Sequence, residues 1–326
     1  MLSYILKRIG YILFVAFIIS IILFFLHKMI PGDPVKGFID RELIVKDPAQ
    51  YQIQYDRIKE QLGLNDPLFV QYFKWLINAL KGNLGYTNDG QLVTEYIKEP
   101  LKNTIFLNIF VLILVFLISV PLGIFSAIKR FTTFDSSVQI VTIIGISIPS
   151  FFFGLISIFI FSVRLGWLPT GGMQPIGYTG TGWDAFVTRL PYIVLPVLVL
   201  TFSSLAGITR YIRGAMIDVL TKDYIRTARS KGLSNRVIVL SHAFKNALIP
   251  VITIMTGWLI GVFGGSTITE TIFRYEGIGY RLFNALRTSD YMIVMAMNMF
   301  YTILALVGNL LMDLGYMLVD PRIKLT

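Results

Sequence analysis

The sequence predicts an all-α integral membrane protein with six transmembrane helices and a small helical extracytoplasmic region between the first two. Three observations carry that expectation. Of 326 residues, 55% are hydrophobic and only 15% are charged, with a mean hydropathy of +0.68. Soluble domains carry about 25% charged residues, so there is too little polar surface to face water. Six apolar runs each approach the roughly 20 residues needed to cross a hydrocarbon core. The basic residues, finally, fall unevenly between alternating connections. The same composition argues against a disordered chain, a disulfide-rich secreted scaffold and a cytosolic enzyme.

The spans are expected near residues 9–30, 104–128, 138–163, 192–209, 247–268 and 291–319. Inside hydrocarbon each backbone N–H and C=O must be bonded within its own segment, so every run is expected as a helix. The first follows Lys7 and Arg8, as a secretory signal would. It is longer than an h-region of about 7–15 residues and no small-x-small site precedes Pro31, which makes residues 1–30 an uncleaved anchor. The third is read as one crossing through Pro149. The fourth is the weakest, because Pro191 and Pro196 remove donors from its first turns.

Six spans put both termini on one side. With that side cytoplasmic, the inner segments 1–8, 129–137, 210–246 and 320–326 hold 14 Lys and Arg in 61 residues, against 5 in 50 for the short outer loops 164–191 and 269–290. Basic residues accumulate on the cytoplasmic side, so both termini are expected there. The net charge of +10 therefore reports orientation and gives no support for a nucleic-acid partner.

Residues 31–103 form the one large outer connection. Apolar periodicity predicts helices over 51–64 and 67–80, punctuated by Gly63, Asn65 and Pro67. The second has a broad apolar side (Leu68, Tyr72, Phe73, Trp75, Leu76), suited either to a cap resting on the membrane or a partner subunit, or to an interfacial anchor. The loop from 269 to 290 is read as a mixed-charge segment.

The inner connection 210–246 is too long for a hairpin. Asp223 suits the N-terminus of a short helix, and Gly232 suits a left-handed cap at its end. Ser234 and Asn235 can then cap a second short helix over 236–245. The result is a helix–Gly–helix elbow. Ala228 and Gly232, one turn apart, are expected to leave a shallow side on which another protein can sit.

Catalytic chemistry is poorly supported. With no cysteine, thiolate metal sites and thiol nucleophiles are ruled out, and His27 and His242 stand far apart in sequence. No glycine precedes a lysine, so a Gly-Lys-Ser/Thr phosphate loop is missing. Asp313 is the one carboxylate expected inside a span, and it is read as an interfacial acid near a helix end. Uncharged polar residues recur in the spans: Asn108, Ser147, Ser150, Thr201, Ser203, Ser204, Thr253, Thr256, Asn298 and Asn309. They fit either a hydrated path or interhelical hydrogen bonds worth about 0.6–2 kcal/mol each. Ser147, Ser150, Thr201, Ser203, Thr253 and Asn298 are the candidate path residues. Pro121, Pro149, Pro196 and Pro250 fit either hinges or static bends.

Several segments, in order, resemble the B-type permease subunit of bacterial dipeptide/oligopeptide ABC importers. They are Pro31-Gly-Asp-Pro34, Leu62-Gly-Leu-Asn-Asp-Pro67, Gly82-Asn-Leu-Gly-Tyr86, Ser147-Ile-Pro-Ser-Phe151, Leu165-Gly-Trp-Leu-Pro169, Glu270-Thr-Ile-Phe273 with Gly277-Ile-Gly279, Asp290-Tyr291 and Asp320-Pro-Arg322. The resemblance covers essentially the whole chain. It implies the type I ABC importer permease fold, with a five-helix core over 104–319 and a cytoplasmic C-terminus at 320–326. The elbow resembles the family's Glu-Ala-Ala-x-x-x-Gly loop: Arg226-Thr-Ala228 stands in place of Glu-Ala-Ala, and Gly232 keeps its spacing. The departure concerns a salt bridge of that glutamate, not the docking surface.

The resemblance thus implies ATPase-coupling residues Tyr224, Arg226, Thr227, Ala228, Arg229, Lys231, Gly232 and Leu233. It implies as partners a homologous second permease, two ABC ATPases, an extracytoplasmic substrate-binding protein and the lipid bilayer. ATP and Mg2+ would be used by the ATPases, with no cofactor held by this chain. The implied location is the bacterial cytoplasmic membrane. The implied cargo is peptide, with nickel chelates, glutathione or another small solute as the alternative within the same family.

Overall fold

A computed structural model describes residues 2–29, 35, 39, 43–61 and 63–319, with side chains described except at 2–5, 248–250, 252–254, 256 and 315–319. Pro31-Gly-Asp-Pro34, Leu62 and the segment 320–326 lie outside the described residues. Among those described, regular structure is helical apart from one antiparallel bridge, Tyr86 to Leu92. The chain divides into two units: Met1–Lys102 with Arg281–Leu306, and Asn103–Tyr280 with Val307–Thr326.

The first unit contains α1 (Leu2–Met29), α2 (Leu43–Lys46), α3 (Pro48–Gln61) and α4 (Leu68–Leu80), and it takes in parts of α13 (Ile278–Arg287) and α14 (Tyr291–Val319). Aromatic residues seat α4 on α1. Tyr72 is 2% exposed, its ring centroid lies 5.4 Å from that of Phe24, and its hydroxyl is 2.8 Å from Ser20 Oγ. Met295 of α14 closes the cluster. The broad apolar side of 67–80 is therefore divided. Tyr72, Trp75 and Leu76 pack within the chain itself, whereas Phe69, Phe73, Ile77 and Leu80 stay exposed. Asp290 starts α14 and ties down the 83–93 turn: its Oδ2 accepts the Asn88 N–H at 2.8 Å.

The second unit holds most of α5 (Val93–Ile128), then α6 (Thr133–Ser147), α7 (Ser150–Ser157) running into a π-helical stretch Ile158–Arg164, and α8 (Gly182–Leu220). After these come α9 (Asp223–Ser230), α10 (Asn235–Val237), a second π-helical stretch Ile238–Phe244, α11 (Lys245–Gly261) and α12 (Thr267–Ile272). Leu107, Val111 and Val115 recur every four residues on α5, so they share one face. That stripe belongs to the same buried core as Leu195, Val199, Ile208 and Ile212 of α8.

Two expected spans change shape. The third is not one straight crossing: α6 and the run Ser150–Arg164 meet at 99°. The cause is local. Proline clashes with a helical residue before it, and Ile148 accordingly sits at φ −81°, ψ 121°, which ends α6. The fourth, expected over 192–209, is a 39-residue helix carrying Pro191 and Pro196 inside it. Leu195, Pro196, Val197 and Val199 are buried, and this packing holds the helix through the lost donors.

Four helices among the described residues are long and apolar enough to cross a membrane, or five with the bent pair counted as one crossing. The chain is a multi-pass membrane protein. At 17 residues and about 1.5 Å per residue, α11 alone spans about 26 Å, less than the hydrocarbon thickness of about 30 Å.

Candidate coupling site

The elbow is built by α9 and its cap. Three backbone bonds close the end of α9: Lys231 N–H to Thr227 O at 3.1 Å, Gly232 N–H to Arg229 O at 2.9 Å, and Leu233 N–H to Ala228 O at 3.4 Å. The last two are the paired bonds of a Schellman motif. Its C′ residue must be left-handed, and Gly232 has φ +74°. A Cβ at Gly232 would meet nothing within 4 Å, so conformation, not space, asks for glycine there.

The two faces of α9 differ. Ile225 and Ala228 are buried in the main core, at 0% and 6% exposure. Tyr224, Arg226, Thr227, Arg229, Lys231, Gly232 and Leu233 are exposed. This corrects one expectation: Ala228 is not on an open shallow side with Gly232, because it packs inward one turn after the buried Ile225 position. The surface presented outward combines Tyr224 and Leu233 with the cations of Arg226, Arg229 and Lys231. Arg226 and Asp223 form an exposed pair at 3.7 Å, worth at most about 0.5 kcal/mol.

The second limb also differs from the expected separate helix over 236–245. Ser234 precedes α10, and helical backbone continues through the π-helical stretch into α11. At the other end, residues 210–220 belong to α8, so the loop proper begins at Thr221. Thr221 and Lys222 are the whole link between the 39-residue α8 and α9.

The candidate path residues fall on five helices, α6, α7, α8, α11 and α14. Ser147 and Ser203 donate to carbonyls of their own helices, Ile143 O at 2.9 Å and Val199 O at 3.0 Å. Thr201 is 3% exposed and its buried hydroxyl has no hydrogen-bond partner among the described residues. Ser150 is half-buried at the start of α7, and Asn298 is half-buried on α14. Thr253 lies in α11, but its side chain is outside the described residues. Asn108 is interhelical glue: its amide donates to Val262 O at 3.0 Å and Gly264 O at 2.8 Å, beyond the last turn of α11.

A buried carboxylate was hidden in the mixed-charge segment. Glu270 on α12 is 0% exposed. The Thr104 hydroxyl donates to its Oε1 at 3.0 Å, and Tyr280 N–H donates to its Oε2 at 3.0 Å. Burial holds the carboxyl above its ordinary value, outweighing hydrogen bonds from Tyr280, Thr104, Gly279 and Ser266 that pull it down. Close approach explains the glycine spacing: a Cβ on Gly277 would lie 2.5 Å from Glu270 Oε2. Two glycines two residues apart after an acid were the available signal.

A family profile described as "Binding-protein-dependent transport system inner membrane component" matches residues 119–325, and a companion profile for the N-terminal part of such membrane components matches residues 1–92. The chain is 39% identical over 326 residues to an oligopeptide transport system permease protein of Bacillus subtilis, covering 99% of this chain and 100% of that one. It is 35% identical over 342 residues to a di/tripeptide transport system permease protein of Pseudomonas aeruginosa, covering 99% of each. Its fold is similar to a chain of the inward-facing MetNI methionine ABC transporter, with a TM-score of 0.51 at 17% identity, over 70% of this chain and 96% of that one.

Proposed function

The chain belongs to the family of binding-protein-dependent transport system inner membrane components, and from that membership we propose that it is the permease subunit of an ATP-driven importer of dipeptides or oligopeptides. The observation that carries this reading is identity along the full length, 39% and 35%, to two permeases whose names specify oligopeptide and di/tripeptide transport. The chain acts as a membrane subunit rather than as the ATPase.

In this reading six helices cross the cytoplasmic membrane with both termini inside. Residues 1–30 are an anchor, 31–103 an extracytoplasmic helical region, 104–319 the core and 320–326 an inner tail. A second, homologous permease completes the path, and a binding protein delivers cargo from outside. Two ATPases use ATP and Mg2+ and press on the exposed side of α9, where Tyr224, Arg226, Thr227, Arg229, Lys231, Gly232 and Leu233 meet them. Ala228 contributes by seating the helix from within.

The elbow's build supports such a lever. Its inner side is anchored in the core through Ile225 and Ala228, its exit is set by the Gly232 cap, and two residues join it to α8. A push on α9 is therefore passed on as movement of a packed helix, and nucleotide-dependent contact selects between access states.

The test is reconstitution of this chain with its partner permease, ATPases and binding protein in liposomes. ATP-dependent accumulation of labelled di- and oligopeptides is expected. Accumulation of a nickel chelate or glutathione with no peptide uptake would overturn the cargo assignment.

A further inference from the structure

An ion pair joins three helices on the elbow side of the second unit. Arg213 Nε donates to Asp135 Oδ1 and Arg213 Nη2 donates to Asp135 Oδ2, each at 2.7 Å. The side chains are 21% and 4% exposed. The buried Ser126 hydroxyl also bonds to Asp135 Oδ1, and the Phe131 N–H donates to Oδ2 at 3.0 Å. One carboxylate in the first turn of α6 thus gathers donors from the end of α5, from the turn that follows it, and from α8.

Two further features show that this junction is specified. Phe131 has φ +65°, a left-handed conformation costing a non-glycine residue about 1–2 kcal/mol, and its N–H is held by the same carboxylate. Nearby, α5 and α8 touch closely: a Cβ on Gly123 would lie 2.8 Å from Ile212 Cβ and 3.0 Å from Thr209 O. Apolar packing would hold two helices without taking charges out of water, and a buried pair is often no more stable than an apolar substitute. What a bidentate pair adds is a single geometry.

Its place in the chain indicates what that geometry serves. Arg213 lies two turns before the end of α8 at Leu220, after which Thr221 and Lys222 lead into α9. Ile212 and Met216, which flank Arg213, share a buried core with Ile225 and Ala228 of α9. On the other side of the pair, α6 runs from Asp135 to the break at Ile148.

We propose that Asp135 and Arg213 are positioning residues for coupling: their pair makes the adjoining ends of α5, α6 and α8 move as one body with α9. A displacement imposed on the elbow then reaches the Ile148–Pro149 break, where it can be released as a change of angle, and is not absorbed by α8 alone. This rests on the chain being an ATP-driven permease.

The experiment uses the complete reconstituted complex and reads peptide taken up per ATP hydrolysed. Single variants Asp135→Asn and Arg213→Gln each strand a buried partner, so the deciding variant is the neutral double, Asp135→Asn with Arg213→Gln. It is expected to assemble, to hydrolyse ATP within about twofold of the parent, and to lose about tenfold in uptake per ATP, inside the span of ordinary coupling effects. A double variant with parental uptake per ATP overturns the proposal, as does one that merely assembles in lower yield.

Hydrogen exchange on the unmutated complex decides the matter independently of any variant. Residues 123–137 and 208–230 should keep equal protection in nucleotide-free and vanadate-trapped states, and selective loss over 126–137 on trapping overturns the rigid block. Failure of the underlying permease reading would look different, because the unmutated complex would then show no ATP-dependent uptake.

Discussion

The Thr104 hydroxyl stands between two stretches of chain more than a hundred residues away, donating to Glu270 Oε1 at 3.0 Å while accepting the Ile278 N–H at 2.8 Å. Asn103 beside it donates to Glu276 O and accepts from the Tyr275 hydroxyl. One turn later Asn108 takes the carbonyls that follow α11. Three residues on α5 thus fasten the whole connection from α11 to Tyr280. Its buried part, Thr104 with Glu270 and the Ile278 N–H, holds one arrangement because a buried polar group left unpaired costs about 1–3 kcal/mol.

Glu270 makes that network sensitive to pH. Its carboxyl is raised above the ordinary value of 4.5 by burial. The folded protein therefore binds the proton more tightly than the unfolded chain, and the stabilisation is complete below the unfolded value and lost as pH rises through the raised one. Thermal unfolding of the detergent-solubilised protein should show the unmutated chain weakening from about pH 4.5 upward. Glu270→Gln should be flat over the same range. A parallel decline in both would show that another group titrates.

The cap at Gly232 separates conformation from contact. Gly232→Val puts a β-branched residue into a left-handed position at a cost of about 1–2 kcal/mol. Membrane insertion should persist while uptake and binding-protein stimulation of ATPase activity collapse. Gly232→Asn should retain most of both, since asparagine visits this conformation. Normal uptake by Gly232→Val, measured in cells dependent on supplied peptides, would remove the elbow from the mechanism.

Within the first unit, Tyr72 carries the seat of α4 on α1. Tyr72→Ala deletes a buried ring and should cost about 3–5 kcal/mol, read as a fall in the thermal midpoint of the purified protein. Ile77→Ala, on the exposed side of the same helix, should change stability by about 0.5 kcal/mol or less. Equal effects would mean that both faces are covered.

How far the sequence could be read depended on whether the deciding force is local. The Gly232 cap was legible because left-handed backbone selects glycine wherever it occurs. The Ile148–Pro149 break was half legible: the proline was visible, but an apolar run reads as one crossing since hydropathy carries no dihedral angles. The direction in which Ala228 faces was not legible, because small residues one turn apart mark a side without saying what lies against it. Glu270 stood in a segment legible only as mixed in charge, and it is the three-dimensional return of residues 277–280 that encloses it. The long reach of α8 past its apolar stretch followed the same rule. Packing by Ile212 and Met216 extended a helix that composition would have ended near Thr209.

The right-angled turn at Ile148–Pro149 has a consequence for the bilayer itself. Any helix end leaves carbonyls and amides short of intrahelical partners, and fatty-acyl tails offer nothing to replace them, at several kcal/mol for each group left bare. Acyl chains therefore have to be kept away from this corner. A neighbouring protein surface, or water, would supply the missing partners, and Ile146, Phe151 and Phe152 lie bare beside the corner on the isolated chain.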